Sequence, residues 1–599
     1  MSQKIRNTSW NKFSKLRFSK KSLSRSVRNI EKSTIRHARR FVSSRLDRLS
    51  LVKRVVFSWV ALVFILAGVS TLQWLNYRQS YTVDAATSGG TYSEGVLGPL
   101  ETLNPIFARS SAEKSASKLL FASLYAYDET GNLKGDLAES VSVNETETKY
   151  TVTLRPGAKW SDGAALTSQD VVFTVDLLRN PDTQSSLSGW GSFKAEATDA
   201  RTIVFTLPGA YAPFLHTLTF PVLPHHVLAG IKPAELREQA FSSSPTTSGP
   251  FALRMLQNTS SDGSRKIAHL VANPRYLHGT PKLERFQLNV YTSREDIEKA
   301  LKTNEIIATP ELVYEKLPEP IQKMYQNRSY TVNDGVYAMF NTRDGLLESQ
   351  PVRRALALAV NVNELRDEIA NPTDHLSGPI LNNQIDGDLP GIKYDLEEAK
   401  KLLDEEGWRV ANNGVRSKDG QPLTLRMVAL SGANFSETTE KLSKIWSDQL
   451  NIKVEVEMVD PLDPSRSVLQ SVLQPRNYDV LVYELVIGGD PDVYAYWHSS
   501  QATSNGLNFS NYSSVISDEA LSSGRARIDS KYRRDRYQAF VKRWLSDMPA
   551  LPLYQVKIDY IYSKSGTSLN KDAVLVYPEN RYANVIYWSV NKASVYKTP

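Results

Sequence analysis

Ser111-Ala112-Glu113-Lys114 sets a hydroxyl and an amine at the spacing of a serine nucleophile with a lysine base. A chain this rich in Ser and Lys generates that pattern by composition, and no S-D-N or K-T-G partner follows. The chain has eight His, dispersed along its length. His225 and His226 are adjacent, so they cannot share one helix face as a metal pair does, and they read as part of a turn. There is no P-loop, H-E-x-x-H or G-x-S-x-G, and there are no cysteines. With neither a charge relay nor a ligand cluster, the chemistry left is non-covalent binding. No enzyme activity, metal or cofactor is expected.

The elements that would position a binding site are legible in residues 150–180, YTVTLRPGAKWSDGAALTSQDVVFTVDLLRN. Tyr150, Val152 and Leu154 alternate with Thr151, Thr153 and Arg155, the period of a half-buried strand. Pro156-Gly157 and Asp162-Gly163 mark two turns. Thr167-Ser168-Gln169-Asp170 then starts a helix whose apolar face is Val171, Val172, Val175 and Leu178. Further helices are expected over 112–125, 351–360 and 394–403, the last stopped by Gly407, with strands over 202–207 and 450–459. This is α/β patterning, and 599 residues are too many for one core.

Charge divides the chain. Residues 1–54 hold 17 Lys+Arg against Glu31 and Asp47, a balance of +15. The remainder holds 55 basic and 62 acidic residues, so the formal charge of +8 says nothing about its partners. Residues 55–75, VVFSWVALVFILAGVSTLQWL, are 21 positions without a charge, with Trp59 and Trp74 near the ends. Roughly 20 helical residues span a hydrocarbon core, and Trp favours its interfaces. A retained anchor is expected rather than a cleaved leader, because a 54-residue basic segment is long for a signal peptide. The basic flank places the N-terminus in the cytoplasm and the body outside, with the arm drawn to anionic lipid head groups. No aromatics recur between the basic residues as single-strand binders require, so nucleic acid is not an expected partner.

Leu137-Ala138-Glu139-Ser140, Leu154-Arg155, Gly157, Trp160, Asp162-Gly163 and Asp170-Val171-Val172-Phe173 together resemble the signature region of the family 5 extracellular solute-binding proteins. These are receptors of ATP-driven oligopeptide, dipeptide and nickel importers. The resemblance continues through Leu103-Asn104-Pro105, Ser248-Gly249-Pro250-Phe251, Asn273-Pro274-Arg275-Tyr276, Phe340-Asn341-Thr342, the segment from Pro351 to Leu356, and Leu553-Tyr554. It implies a two-lobed periplasmic-binding-protein-like α/β fold with an extra subdomain, behind a single transmembrane helix. The implied layout is a basic arm (1–54), the span (55–75), a linker (76–88), lobe I (89–290 and 522–599) and lobe II (291–521). The chain would then change lobes near Tyr291 and again over 514–521.

The resemblance also implies a ligand cleft between the lobes. Peptide-binding members hold an extended backbone, with an acid near a D/E-P turn taking the ligand's ammonium. The matching stretch is Glu484-Leu485-Val486-Ile487-Gly488-Gly489-Asp490-Pro491, and Ile487 stands where the oligopeptide branch carries its Asp. Glu484 or Asp490 is the substitute, and Trp190, Tyr494, Trp497 and Asn508 are the other candidates. Each has a packing or turn reading beside the binding one. The expected function is a membrane-anchored, extracytoplasmic receptor that delivers peptides to an ABC permease and its ATPase. A rival from another class is a signalling receptor with the basic arm as its cytoplasmic output.

Overall fold

The computed structural model describes residues 53–187, 189–260, 264–343, 345–385, 391–431, 435–460, 467–564 and 574–596. The basic arm therefore lies almost wholly outside the described residues. The first described element is the helix Lys53–Tyr81. Within its stretch Lys53–Tyr77 the most apolar 18 residues have a mean hydropathy of 2.4 and are not buried, so the helix is long and apolar enough to cross a membrane. Ser58 and Thr71 return their hydroxyls to the carbonyls of Arg54 and Ala67, at 2.7 Å each, which satisfies them within the helix. The expected linker is the end of this helix followed by the strand Thr82–Thr87.

The body, Ala86–Ala593, is one compact unit. Among its described residues twelve strands form one mixed sheet. It runs from the edge strand Lys453–Val459 through Thr424–Leu430 and Val480–Val486 to Tyr325–Phe340 and Ala550–Ser563, and on through Ala308–Thr309, Thr91–Leu97 and Arg285–Tyr291 to Lys266–Ala272 and Phe251–Asn258. Thr91–Leu97 with Arg285–Tyr291, and Thr424–Leu430 with both its neighbours, are parallel; the long central pair is antiparallel. A separate antiparallel sheet, Ala138–Val143, Lys149–Leu154, Thr202–Thr206 and Lys194–Ala197, forms the extra subdomain.

Two large apolar clusters flank this sheet at opposite ends. One gathers Tyr92, Leu119, Val152, Val175, Leu288 and Trp588; the other gathers Phe340, Leu356, Leu403, Met427, Trp446 and Leu553. A further cluster around Trp497, Phe540 and Trp544 completes the second end. The changeover between ends falls inside the two long strands: Val332 and Tyr560 pack with the first end, Val336 and Val556 with the second. Packing thus passes between cores at 332–336 and 556–560, and the lobe changes expected from the sequence lie near Tyr291 and at 514–521. Tyr291 belongs instead to a small cluster with Ile297, Leu301 and Tyr325. At the crossing the ladder slips, from Thr331 opposite Lys557 to Gly335 opposite Gln555. The extra residues on one strand make a bulge, which bends a strand and re-aims its side chains.

Local signals explain most helices. In Ser168–Arg179 the Asp170 carboxylate accepts from the Thr167 amide at 2.7 Å. Its other oxygen accepts from the His225 amide at 2.8 Å, so the residue that caps the helix also holds the His225-His226 turn. Ser111–Leu120 carries a capping box between Ser110 and Glu113. The Ser111 hydroxyl donates to Glu311 at 2.8 Å, which engages the S-x-x-K serine structurally.

The C-terminal segment is tied down by an ion pair. Arg581, 2% exposed in its side chain, reaches fully buried Glu94 at 2.6 Å. Tyr560 and Tyr582 also donate to Glu94, and Arg581 donates to Ser115 on the helix Ser111–Leu120. Removing one partner of such a pair leaves a buried charge alone. Arg581→Ala is expected to cost ~3–5 kcal/mol, read as a lowered denaturant midpoint. Glu94→Gln with Arg581→Met should recover part of that loss.

Candidate functional site

Two cavities open between the cores. The larger, 750 Å³, lies between the loop 486–492 on one side and Tyr127, Trp190, Tyr211 and His216 on the other, with Lys114 and Lys118 at its wall. The loop leaves the strand Val480–Val486 and turns at Gly488, whose φ of +78° favours glycine. A Cβ at Gly489 would come within 2.4 Å of the Tyr127 hydroxyl, so this loop passes the ring only as backbone. The crossing bulge holds the loop. The Asn333 carbonyl accepts from the Ile487 amide at 3.0 Å, and its side-chain amide donates to the Gly488 carbonyl at 2.9 Å.

The loop acids are already neutralised. Asp490, 7% exposed, pairs with Arg533 at 2.5 Å and has the His216 Nε2 at 3.8 Å. Asp492 pairs with Arg525 at 3.0 Å, and the Arg525 guanidinium lies over the rings of Tyr494 and Tyr211 at 4.2 and 4.9 Å. The Tyr127 hydroxyl is 2.8 Å from the His216 Nδ1. Burial holds His216 below the ordinary histidine range, so it is neutral near pH 7. Lys118 is likewise pushed below the usual lysine range by desolvation, although Asp136 and Glu579 pull the other way.

The smaller cavity, 620 Å³, straddles the crossing strands. Ser111, Arg294 and Ile558 face it from the first end, and Ser436, Tyr554 and Val336 from the second. Asp334, in the bulge, and Glu484, on the neighbouring strand opposite Val336, both line it. The two carboxyls are within hydrogen-bonding reach of each other. Burial and the adjacent Glu484 raise Asp334 well above the usual carboxylate range, and burial raises Glu484 as well.

The six sequence candidates separate clearly. Trp190 and Asp490 line the larger cavity and Glu484 the smaller. Trp190 is 5% exposed and packs edge-on against Phe193 and Phe220, so only its margin reaches the cavity. Tyr494 lies behind the loop, stacked on His498 at 4.0 Å and beneath Arg525. Trp497 is core, packed edge-on against Trp544 and Tyr337. Asn508 is fully buried and closes its own loop, donating to the Tyr512 and His498 carbonyls. The sequence reading missed Tyr127, Tyr211, His216 and Asp334. Asp334 had a signal: Asn333-Asp334-Gly335 sets an acid and a glycine directly before the apolar run Val336–Phe340. The other three sit on a short strand, a loop and the four-residue helix Phe214–Thr217, none of which has a distinguishing sequence signal. Among the described residues no group of three or more His, Asp or Glu is placed to hold a metal ion.

Residues 132–506 match the family model described as "Bacterial extracellular solute-binding proteins, family 5 Middle". The chain belongs to family 5 of the bacterial extracellular solute-binding proteins. The family consists of non-enzymatic binding receptors of ABC transporters, which agrees with the absence of catalytic motifs. Among curated relatives, the oligopeptide-binding protein AppA of Bacillus subtilis is 24% identical over 548 residues, covering 89% of this chain and 97% of AppA. Protein XP55 of Streptomyces lividans is 27% identical over 78% of this chain and 83% of its own length. The fold is shared with solved family members. The Bacillus subtilis AppA structure with a nonapeptide aligns at a TM-score of 0.67 and 22% identity, covering 85% of this chain and all of AppA. Campylobacter jejuni NikZ with Ni(L-His) aligns at 0.69 and 22% identity, covering 83% and 99%.

The approach of the loop to Tyr127 is directly testable. Gly489→Ala should destabilise the protein by ~1–3 kcal/mol through overpacking. In a Tyr127→Ala background the same substitution should cost markedly less, measured by thermal denaturation of all four proteins.

Proposed function

We propose that this family 5 receptor captures peptides in the cleft between its two cores and delivers them to an ABC permease and its ATPase. The observation that carries the reading is the pair of cavities, 750 and 620 Å³, set on either side of the loop and strands that join the cores. A site between two cores buries most of a bound solute. An extended peptide needs a long site with backbone partners and side-chain pockets, and adjoining cavities of this size offer that. Relatives named as oligopeptide-binding proteins, and a relative solved with a nonapeptide, support the same ligand class.

The body acts outside the cytoplasm in this reading, and the helix Lys53–Tyr81 is its single-pass anchor. Its exposed apolar surface, with Phe57 79% and Leu72 67% exposed, suits lipid rather than water. Lys53-Arg54 at its start place the N-terminus in the cytoplasm, next to the inner leaflet. Closing the two cores on a ligand would give the permease a shape to read.

Thermal denaturation of the full chain in detergent, with pools of random peptides of graded length, tests the ligand class. A pool present at about 100 times its Kd adds roughly 2.7 kcal/mol of apparent stability. An upward shift in Tm with at least one pool is expected. No shift with any length class would remove the peptide reading.

A further inference from the structure

Most charged groups in the two cavities are already satisfied by the protein. In the larger, Asp490 and Asp492 have Arg533 and Arg525. In the smaller, Lys557 is 3.5 Å from Asp374 and Lys316 is 3.9 Å from Glu437. Asp559 accepts from the Tyr314 amide at 2.8 Å and from the Asn327 side chain at 3.3 Å. Glu311 accepts from Ser111 at 2.8 Å and from the Leu97 amide at 3.2 Å. Asp334 and Glu484 differ. Among the described residues no Lys, Arg or His forms an ion pair with either. Asp334 is 5% exposed, and its Oδ1 is buried without a hydrogen-bond partner although the residue lines the cavity. A buried acceptor left unpaired in this way costs about 1–3 kcal/mol, and a ligand donor would relieve it.

We propose that Asp334 and Glu484 form a subsite for a cationic group of the bound ligand, an ammonium or a guanidinium. Two carboxylates with no third acid or imidazole are fewer ligands than a resident divalent ion uses, whereas one compact cation fits between them. The pair occupies the bulge and the strand that lead directly into the loop 486–492. A cation held there would sit at the crossing between the cores, with the rest of the ligand extending into either cavity. Ile487 fills the loop position where the sequence reading looked for an acid, and the loop acids that remain are paired. The ligand's positive charge therefore meets its partner on the strands. This inference rests on the peptide reading for the identity of the ligand, but not for the chemistry of the subsite.

The surroundings set the pH dependence. Lys114 and Glu579 are the charged groups within electrostatic reach of Asp334; the phenols of Tyr496 and Tyr577 also lie within reach of Asp334, and those of Tyr554 and Tyr483 within reach of Glu484. Both carboxyls are raised, so the pair holds its proton to higher pH than ordinary carboxyls do, and an arriving cation competes with that proton. Cation binding accordingly releases a proton, and affinity falls as pH drops from neutral toward acid.

The test uses the full chain in detergent, as wild type and as the isosteric double variant Asp334→Asn/Glu484→Gln. Four peptide pools separate the sources of positive charge: free or acetylated N-termini, each with or without Lys and Arg. Agmatine and butylamine, with butanol as neutral control, probe the subsite without any peptide. Titration calorimetry in buffers of different ionisation enthalpy reads both affinity and proton release. Expected are proton release on binding of cationic pools and of agmatine by the wild type, and at least a tenfold loss of both affinities in the variant. The acetylated pool lacking Lys and Arg should release no proton on binding to either protein. A response confined to free N-termini assigns the subsite to the peptide terminus, and one confined to Lys/Arg pools assigns it to a side chain. If no pool binds, the peptide reading fails while the agmatine result still decides the subsite. Agmatine binding that is absent from the wild type, or undiminished in the variant, would overturn the proposal.

Discussion

The antiparallel ladder between Tyr325–Phe340 and Ala550–Ser563 is the constraint on which the body depends. Both strands begin in one core and end in the other, so every residue that faces the cleft is placed relative to this pair. One core takes Tyr330, Val332 and Tyr560 from it; the other takes Val336, Phe340 and Leu553. The bulge at 332–334 interrupts the ladder where the cores change over, and a bulge there bends the pair. Asn333 uses that same bulge to hold the loop 486–492, while Asp334 turns into the smaller cavity. Crossing, loop and cleft are thus one local arrangement rather than three.

Charge refines what geometry offers. Arg533 and Arg525 lie behind the loop and neutralise Asp490 and Asp492, which fixes the loop but spends the acids a cationic ligand would need. On the opposite wall, Arg581 and Glu94 hold the C-terminal segment in place, so that Tyr577 and Glu579 face the larger cavity. Buried pairs of this kind contribute more to position than to net stability. The carboxyls of Asp334 and Glu484 stand apart because, among the described residues, no Lys, Arg or His forms an ion pair with either.

Local order was legible in the sequence wherever one residue's chemistry determines it. The strand at 150–154 and the capped helix after Thr167 are present as Lys149–Leu154 and Ser168–Arg179. The expected 394–403 helix is Leu396–Glu405, started by the Asp395 side chain and followed by Gly407 at φ +89°. The family was legible because its turns and caps recur in order. What was not legible depends on partners distant in the chain. Nothing near Asp490 announces Arg533, and nothing near Glu484 announces Asp334, which is 150 positions away. Trp497 and Asn508 have the residue types of pocket walls, yet the first is claimed by Trp544 and the second by its own loop. Where the packing changes from one core to the other was not legible for a related reason: a strand shared by two cores has the same alternating pattern on either side of the boundary.

The two cores are expected to approach each other about the crossing strands when ligand fills the cleft. Because the chain has no cysteine, a single pair of dyes can be introduced at exposed positions, Lys299→Cys on the first side and Glu397→Cys on the second. The measurement is the energy-transfer distance between them, with and without a saturating peptide pool already shown to raise the Tm. A distance that shifts to a single new value on saturation, and returns when peptide is removed, is the predicted result. An unchanged distance while peptide is bound would contradict the account.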